Sequence, residues 1–262
     1  MSQFFKKKIK SVLIFLLQYY YKMVTLNNKR IIGEFQKFNF KNTKIINLTN
    51  NKNIKFFNVN HLTNYRLKTF FTKEPETISW INNFKKNSVF WDIGSNIGLY
   101  SIYASKVNDC KTFSFEPSVY NLEILSRNIY LNNLEEKIYI IPNPLGINST
   151  IDYFYMNNPE YSSALSSFAH KYDQNDKIMN TNFKYKILGI NGSDLINKLN
   201  LPKPDYIKID VDGAEHLIIK GFDNNVFENL KGAVHWEKFM FVKRPSQDFQ
   251  IARLIKIPSC KI

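Results

Sequence analysis

A chain of 262 residues, 44% of them hydrophobic, can bury the core of one large α/β domain and is too apolar to be disordered. Its net charge of +14 points to an anionic neighbour (nucleic acid, a membrane surface or an anionic substrate), although lysines spread over every solvated face would give the same count. Two cysteines, Cys110 and Cys260, supply neither a disulfide framework nor metal-ligand spacing, and they fit a reducing compartment.

Phe4 and Phe5 precede Lys6-Lys7-Lys8-Ile9-Lys10, then the apolar run Val12–Leu17 and Tyr19-Tyr20-Tyr21. The run is far short of the ~20 residues that span a bilayer, and no small-x-small cleavage site follows. Residues 1–30 therefore read as an interfacial helix in peripheral contact with anionic membrane, with packing on the protein's own body as the alternative. Residues 42–59 alternate apolar and polar and predict a β-hairpin. Pro75, with acids on either side, predicts a helix start, so 31–86 form a hairpin-and-helix extension.

From Val89 strands and helices alternate: strands at 89–92, 111–115 and 137–141, helices at 98–106 and 119–131. That order predicts a parallel sheet with crossover helices, the body of a domain over 87–262. Asn143-Pro144-Leu145 reads as a loop. Residues 151–190 break the alternation, with strands at 151–156 and 183–189 and a polar loop through Ser162, Ser163, Ser166 and Ser167. An insertion over the carboxyl edge of the sheet is expected there, where ligands bind in such folds. Asp205–Glu215 reads as another buried strand followed by a helix, and Ala233–Glu237 as one more core strand.

The chemistry concentrates at strand ends. Val89–Tyr100 is a strand, a glycine turn and a helix start; Gly94 and Gly98 let a ligand approach the backbone. Asp92 at the strand end suits a cationic group and would repel a pyrophosphate. Glu116 ends the next strand, where an acid can accept both hydroxyls of a ribose. The glycine spacing G-x-x-x-G is neither the dinucleotide fingerprint nor a P-loop. A cation-binding acid, a glycine turn and a ribose-binding acid together point to S-adenosylmethionine rather than NAD.

Asp210 lies at the end of its strand on the same rim as Asp92 and Glu116, and like charges are costly to gather without a ligand. Asp212, Glu215 and His216 raise a hard-metal alternative. Acids at a helix start are, however, ordinary dipole partners, so no metal is expected.

These residues resemble the FkbM family of S-adenosylmethionine-dependent methyltransferases. The resemblance rests on W-D-I-G-S-N-I-G-L-Y-S at 91–101, F-E-P-S at 115–118, N-L-E-I-L-S-R-N at 121–128 and Y-I-K-I-D-V-D-G-A-E-H at 206–216. K-E-P-E-T at 73–77 and I-N-G-S-D-L-I at 190–196 add to it, and it covers roughly residues 65–238. It implies a Rossmann-like class I methyltransferase fold, with a mostly parallel sheet flanked by helices. It also implies that Asp92, Gly94, Ser95, Asn96 and Gly98 hold the methionine end of S-adenosylmethionine, that Glu116 and Pro117 hold the ribose side, and that Asp210 lies beside the sulfonium and the acceptor.

The expected reaction is O-methylation of a hydroxyl on a sugar, a glycan or a related metabolite. Asp210 is the leading candidate base, followed by Glu237, His235 and Glu74. About 25 residues follow Glu237, so a short or missing antiparallel edge is expected. An RNA methyltransferase would use the basic surface, but no RNA-binding module stands outside the core, so nucleic acid is not an expected partner. A non-catalytic donor-binding module is disfavoured by the intact Asp92, Glu116 and Asp210 set. A cytoplasmic protein, peripheral at the membrane face, is the location these features imply.

Overall fold

A six-stranded sheet carries the site in the computed structural model, which describes residues 3–25, 41–48, 52–170, 178, 181–211, 213–227, 230–235 and 239–241. The chain divides into two units, Met1–Thr43 and Lys44–Ile262. The first holds one long helix, α1 (Gln3–Thr25). Among the described residues, no helix is long and apolar enough to cross a membrane.

Strands β1 (Thr43–Asn47), which begins at the boundary residue, and β2 (Asn53–Phe57) form a two-stranded sheet, as the alternating pattern predicts. Helix α2 (His61–Lys68) follows, its first turn capped by the Asn60 side chain on the Thr63 N–H. Helix α3 (Pro75–Asn82) starts with proline in its first turn, where the missing N–H is not needed.

The main sheet then builds from β3 (Val89–Ile93), α4 (Leu99–Asn108), β4 (Lys111–Phe115), α5 (Val119–Leu131) and β5 (Ile138–Ile141). After an insertion it continues through α6 (Gly192–Asn197), β10 (Tyr206–Ile209), α7 (Glu215–Lys220), a short 3-10 turn, β11 (Gly232–His235) and β12 (Phe239–Phe241). The strand order is β12-β11-β10-β3-β4-β5. Every pairing is parallel except β11 with β12, so the antiparallel edge is present as a three-residue strand. Strands β3 and β10 are covered on both faces, as buried parallel strands are, and are apolar but for one charged residue each, Asp92 and Lys208. Chain direction across the sheet reverses between β3 and β10, and the crevice outside their carboxyl ends is where such folds bind ligands.

The insertion is a second sheet, ordered β6-β9-β7-β8, of β6 (Leu145–Gly146), β7 (Thr150–Met156), β8 (Ser166–Phe168) and β9 (Phe183–Asn191). Strands β7 and β9 pair antiparallel over their length, from Thr150 opposite Gly189 to Met156 opposite Phe183. Strand β8 lies inside the stretch that reads as a polar loop. Its serines give no apolar alternation, yet Phe168 packs with Phe154 and Met156 and draws Ser166–Phe168 into register with β7.

Asn128 of α5 and its C-cap residue Asn132 join the two-stranded sheet to the main one. Asn132 Oδ1 accepts from the Lys55 N–H at 2.9 Å, and its Nδ2 donates to the Lys55 carbonyl at 2.7 Å. One turn earlier, Asn128 Oδ1 accepts from the Phe57 N–H and its Nδ2 donates to the Ile97 carbonyl, both at 2.9 Å. The pair satisfies β2 as a neighbouring strand would and ties it to the glycine turn. Asn128→Ala strands a buried donor and acceptor and is expected to destabilise the fold by about 2–4 kcal/mol in urea unfolding. A loss below about 0.5 kcal/mol would show that this clamp is not needed.

Candidate active site

The turn after β3 is held from the β4 side. The N–H groups of Gly94 and Ser95 both donate to the Phe115 carbonyl, at 2.9 and 3.0 Å. Gly94 has φ +81°, and a Cβ built on it would stand 1.9 Å from the Asp210 carbonyl oxygen. No side chain fits there without moving β10 away from β3, so the glycine is required by backbone approach. Gly98, at φ +82°, starts α4 beneath Leu125.

Glu116 bridges two elements. Oε2 accepts from the Asn96 N–H and Oε1 from the Ser118 N–H, each at 2.8 Å. One carboxylate thus caps the glycine turn and the start of α5. Burial pushes its pKa up to about 7, against the pull of those two N–H groups, Asn121 and Arg66.

Asp92 lies deeper than a strand-end position suggests. It is fully buried and lines neither of the cavities described below. Oδ2 accepts from Ser101 Oγ at 2.6 Å, and Ser101 Oγ accepts in turn from Ser114 Oγ at 2.7 Å. The carboxylate therefore pins the first turn of α4 to β3 and β4, while its Oδ1 has no partner. Burial raises its pKa, with Lys208 and Ser101 working against that rise.

Lys208, in the middle of β10 and opposite Asp92 in the register, is 2% exposed. Its Nζ lies 2.9 Å from Asp210 Oδ2 and 5.0 Å from the centre of the Tyr100 ring. Burial disfavours the ammonium, but Asp210, Asp92 and Glu74 outweigh that and hold its pKa above the usual lysine value. Glu74 is 3% exposed at the start of α3, where it accepts from Thr77 Oγ1 and lies 3.5 Å from Lys73 Nζ; its charge, after burial, pushes the pKa of Tyr100 up. Three acids, Asp92, Glu74 and Asp210, thus surround one buried lysine.

Two cavities flank the glycine turn and share Gly94, Asn96 and Asp210. The first is a cleft of about 620 Å³, its solvent-open mouth included, between Glu116, Pro117, the Asn143-Pro144-Leu145 loop and the inserted sheet, with Ser167 and Phe168 on its wall. The second, about 440 Å³, is walled by Glu74, Tyr100, Lys208, Ser95, Arg66 and Lys73. The insertion closes over the turn through Asn96 Nδ2, which donates to the Ser163 carbonyl at 2.8 Å, and Arg66 Nε, which donates to the Ser162 carbonyl at 3.2 Å.

The structure thus brings Gly94, Ser95, Asn96, Glu116, Pro117, Glu74 and Asp210 to the cavity walls and leaves Asp92 beneath them. His235 is placed by its backbone opposite Ile209, one residue from Asp210. Glu237 and Asp212 lie outside the described residues. Glu215 Oε1 accepts from the Val211 N–H at 3.2 Å, and no cluster of three metal-ligating side chains occurs among the described residues. Lys208, Tyr100 and Arg66 are wall residues that the sequence motifs do not single out as site residues, whereas Ser167 belongs to the polar loop expected over the sheet edge. Asn143, in a segment that reads as loop, lines the first cavity. Lys208 did carry a signal: a lysine between two isoleucines in a core strand needs a buried partner.

The charges fit S-adenosylmethionine. The acids around Lys208 suit a ligand with a sulfonium and an ammonium, and Arg66 and Lys73 on the wall of the second cavity suit its carboxylate. Asn96 Oδ1, buried without a partner on the wall of both cavities, and Ser167 Oγ on the first add unfilled hydrogen-bonding capacity. Fold and site define a Rossmann-like, S-adenosylmethionine-dependent methyltransferase. Residues 92–256 match the Methyltransferase FkbM domain, and the chain belongs to that family.

Among characterised proteins, the chain is similar to the hexuronic acid methyltransferase AglP of Haloferax volcanii, 29% identical over 141 residues. That match spans 53% of this chain and about half, 52%, of the relative. It is also similar to the methyltransferase sdnD of Sordaria araneosa, 27% identical over 180 residues, or 60% of this chain and 70% of that one. Of solved structures, a precorrin-6y C5,15-methyltransferase from Geobacter metallireducens overlays with a TM-score of 0.36 at 16% identity, covering 62% of this chain and 60% of its own.

Proposed function

We propose that the protein transfers a methyl group from S-adenosylmethionine to a hydroxyl oxygen of a sugar, in a glycan or a related metabolite. Family membership and the named activity of the Haloferax relative support the sugar acceptor. The observation that carries the reading is the position of Asp210. It is the only carboxylate among the described residues that lines both cavities, and Lys208 engages its Oδ2 while the side chain stays 27% exposed.

When bound, the donor supplies an electrophilic methyl group and leaves a neutral thioether. Glu116 accepts the ribose hydroxyls in the first cavity. Glu74 and Asp210 face the ammonium and sulfonium from the second, and Asn96 reaches either part. Asp92 acts from below by holding the glycine turn and α4 in place. The acceptor hydroxyl is a poor nucleophile while protonated; its proton passes to the Asp210 carboxylate as oxygen approaches the methyl carbon. Lys208, 2.9 Å from its Oδ2, fixes that carboxylate in direction, so positioning supplies much of the acceleration. Glu74, engaged by Lys73 and Thr77, is a donor-binding group in this scheme rather than the base.

Glu116 makes donor binding pH-dependent. In the donor-free protein its carboxyl is about half protonated near pH 7, and ribose hydroxyls need the ionised form. Binding therefore releases a proton below that pH. Affinity measured by calorimetry is expected to fall about tenfold per unit as pH drops from 7 to 5, and to level off above 7. Glu116→Gln should flatten the profile. A wild-type affinity constant from pH 5 to 8 would contradict the ribose assignment.

Methyl transfer itself is tested with radiolabelled donor and a panel of hexuronate- and hexose-containing glycans, the product mapped by mass spectrometry. Label is expected on a sugar oxygen. Asp210→Asn is expected to weaken donor binding about tenfold and, at saturating donor, to slow transfer about 10²–10⁴-fold. Near-normal turnover in that variant would remove Asp210 from the chemistry, and label on nitrogen or on nucleic acid alone would overturn the sugar reading.

A further inference from the structure

Helix α1 contains five lysines and no acid over Gln3–Thr25. Lys6, Lys7, Lys8 and Lys10 occupy its first two turns, the end where the helix dipole disfavours cations. The cluster thus opposes local helix stability and calls for an anion from outside the helix.

The arrangement around the helix is as uneven as the arrangement along it. At 3.6 residues per turn, Ser11, Gln18 and Lys22 fall within roughly 40° of one another, a single polar line. Over Ile9–Met23, an arc of roughly 260° from Phe15 round to Ile14 holds apolar side chains and one lysine, Lys10. Leu13, Phe15, Leu16 and Leu17 are each more than half exposed. A helix laid on a globular surface buries a stripe a little over 100° wide, so no single protein face covers this arc. The apolar stretch from Ser11 to Met23 is about 20 Å long, against a hydrocarbon core of about 30 Å, so it cannot span a bilayer either.

We propose that α1 lies in the plane of an anionic lipid surface. Its broad apolar arc is sunk among the acyl chains, its Ser11–Gln18–Lys22 line faces water, and the Lys6–Lys10 cluster contacts lipid phosphates. The three successive tyrosines Tyr19, Tyr20 and Tyr21 are amphipathic rings of the kind that settle at the headgroup level. The inference concerns the lipid surface alone and does not depend on the identity of the methyl acceptor.

The test is cosedimentation of the full-length protein with vesicles, either pure phosphatidylcholine or phosphatidylcholine containing phosphatidylglycerol. Wild type is expected to bind the anionic vesicles at least roughly tenfold more strongly than the neutral ones. On anionic vesicles Leu13→Gln/Leu16→Gln, opposite the polar line, is expected to lose at least roughly tenfold, whereas Ser11→Gln, on the line, changes binding less than about twofold. Replacing Lys6, Lys7, Lys8 and Lys10 with Gln is expected to weaken binding roughly a hundredfold at low salt. The proposal is overturned if wild type fails to bind anionic vesicles, or if Ser11→Gln and Leu13→Gln/Leu16→Gln lose binding equally. A wild-type dimer that the Leu13/Leu16 variant converts to monomer, with no lipid binding by either, would assign the arc to a second copy of the chain and overturn it too.

Discussion

A buried lysine among three carboxylates is the constraint on which the rest of the site turns. Lys208 sits in the middle of a core strand, where a lone ammonium would be far too costly, and Asp210, Asp92 and Glu74 make it tolerable. They also set Glu74 and Asp210 on the wall of the second cavity, where Arg66 and Lys73 stand beside them. With Lys73 3.5 Å from Glu74, both signs of charge face the cavity, a pattern that suits the zwitterionic amino-acid end of a ligand. The acids that make Lys208 tolerable therefore also suit a donor with positive centres.

Backbone geometry places those charges. Gly94 lets β3 turn directly against the Asp210 carbonyl, which keeps β10 beside β3 and puts Lys208 opposite Asp92. Glu116 then fixes the far side of the turn by taking one N–H from Asn96 and one from Ser118. Asn96 and Arg66 hold the inserted sheet over the result, so the two cavities are set on either side of one short loop. A change in any of these contacts is felt by both cavities, because both are lined by the same three residues, Gly94, Asn96 and Asp210.

Much of this was legible in the sequence. The alternation from Val89 to Ile141 marks strands and helices, because buried parallel strands and amphipathic helices impose distinct apolar periods. The strand-end positions of Glu116 and Asp210 follow from the same reading. Depth does not. Asp92 reads like a wall residue, but cross-strand register and the Ser101 hydroxyl decide that it lies beneath the wall, and neither is visible in one chain. Lys208 was readable as an anomaly, whereas its partner Glu74 comes from a helix more than a hundred residues earlier. Strand β8 was hidden because its pairing depends on Phe168 meeting Phe154 and Met156 rather than on any alternation among serines.

The central claim is that the second cavity recognises the amino-acid end of the donor through its buried charges. Calorimetry comparing S-adenosylmethionine with 5′-methylthioadenosine, which keeps the nucleoside and lacks the amino-acid end, tests it most directly. The account predicts that wild type binds S-adenosylmethionine at least tenfold more tightly, and that Glu74→Gln narrows the gap without changing affinity for methylthioadenosine. Equal affinities in wild type, or a Glu74→Gln variant that weakens both ligands alike, would contradict it.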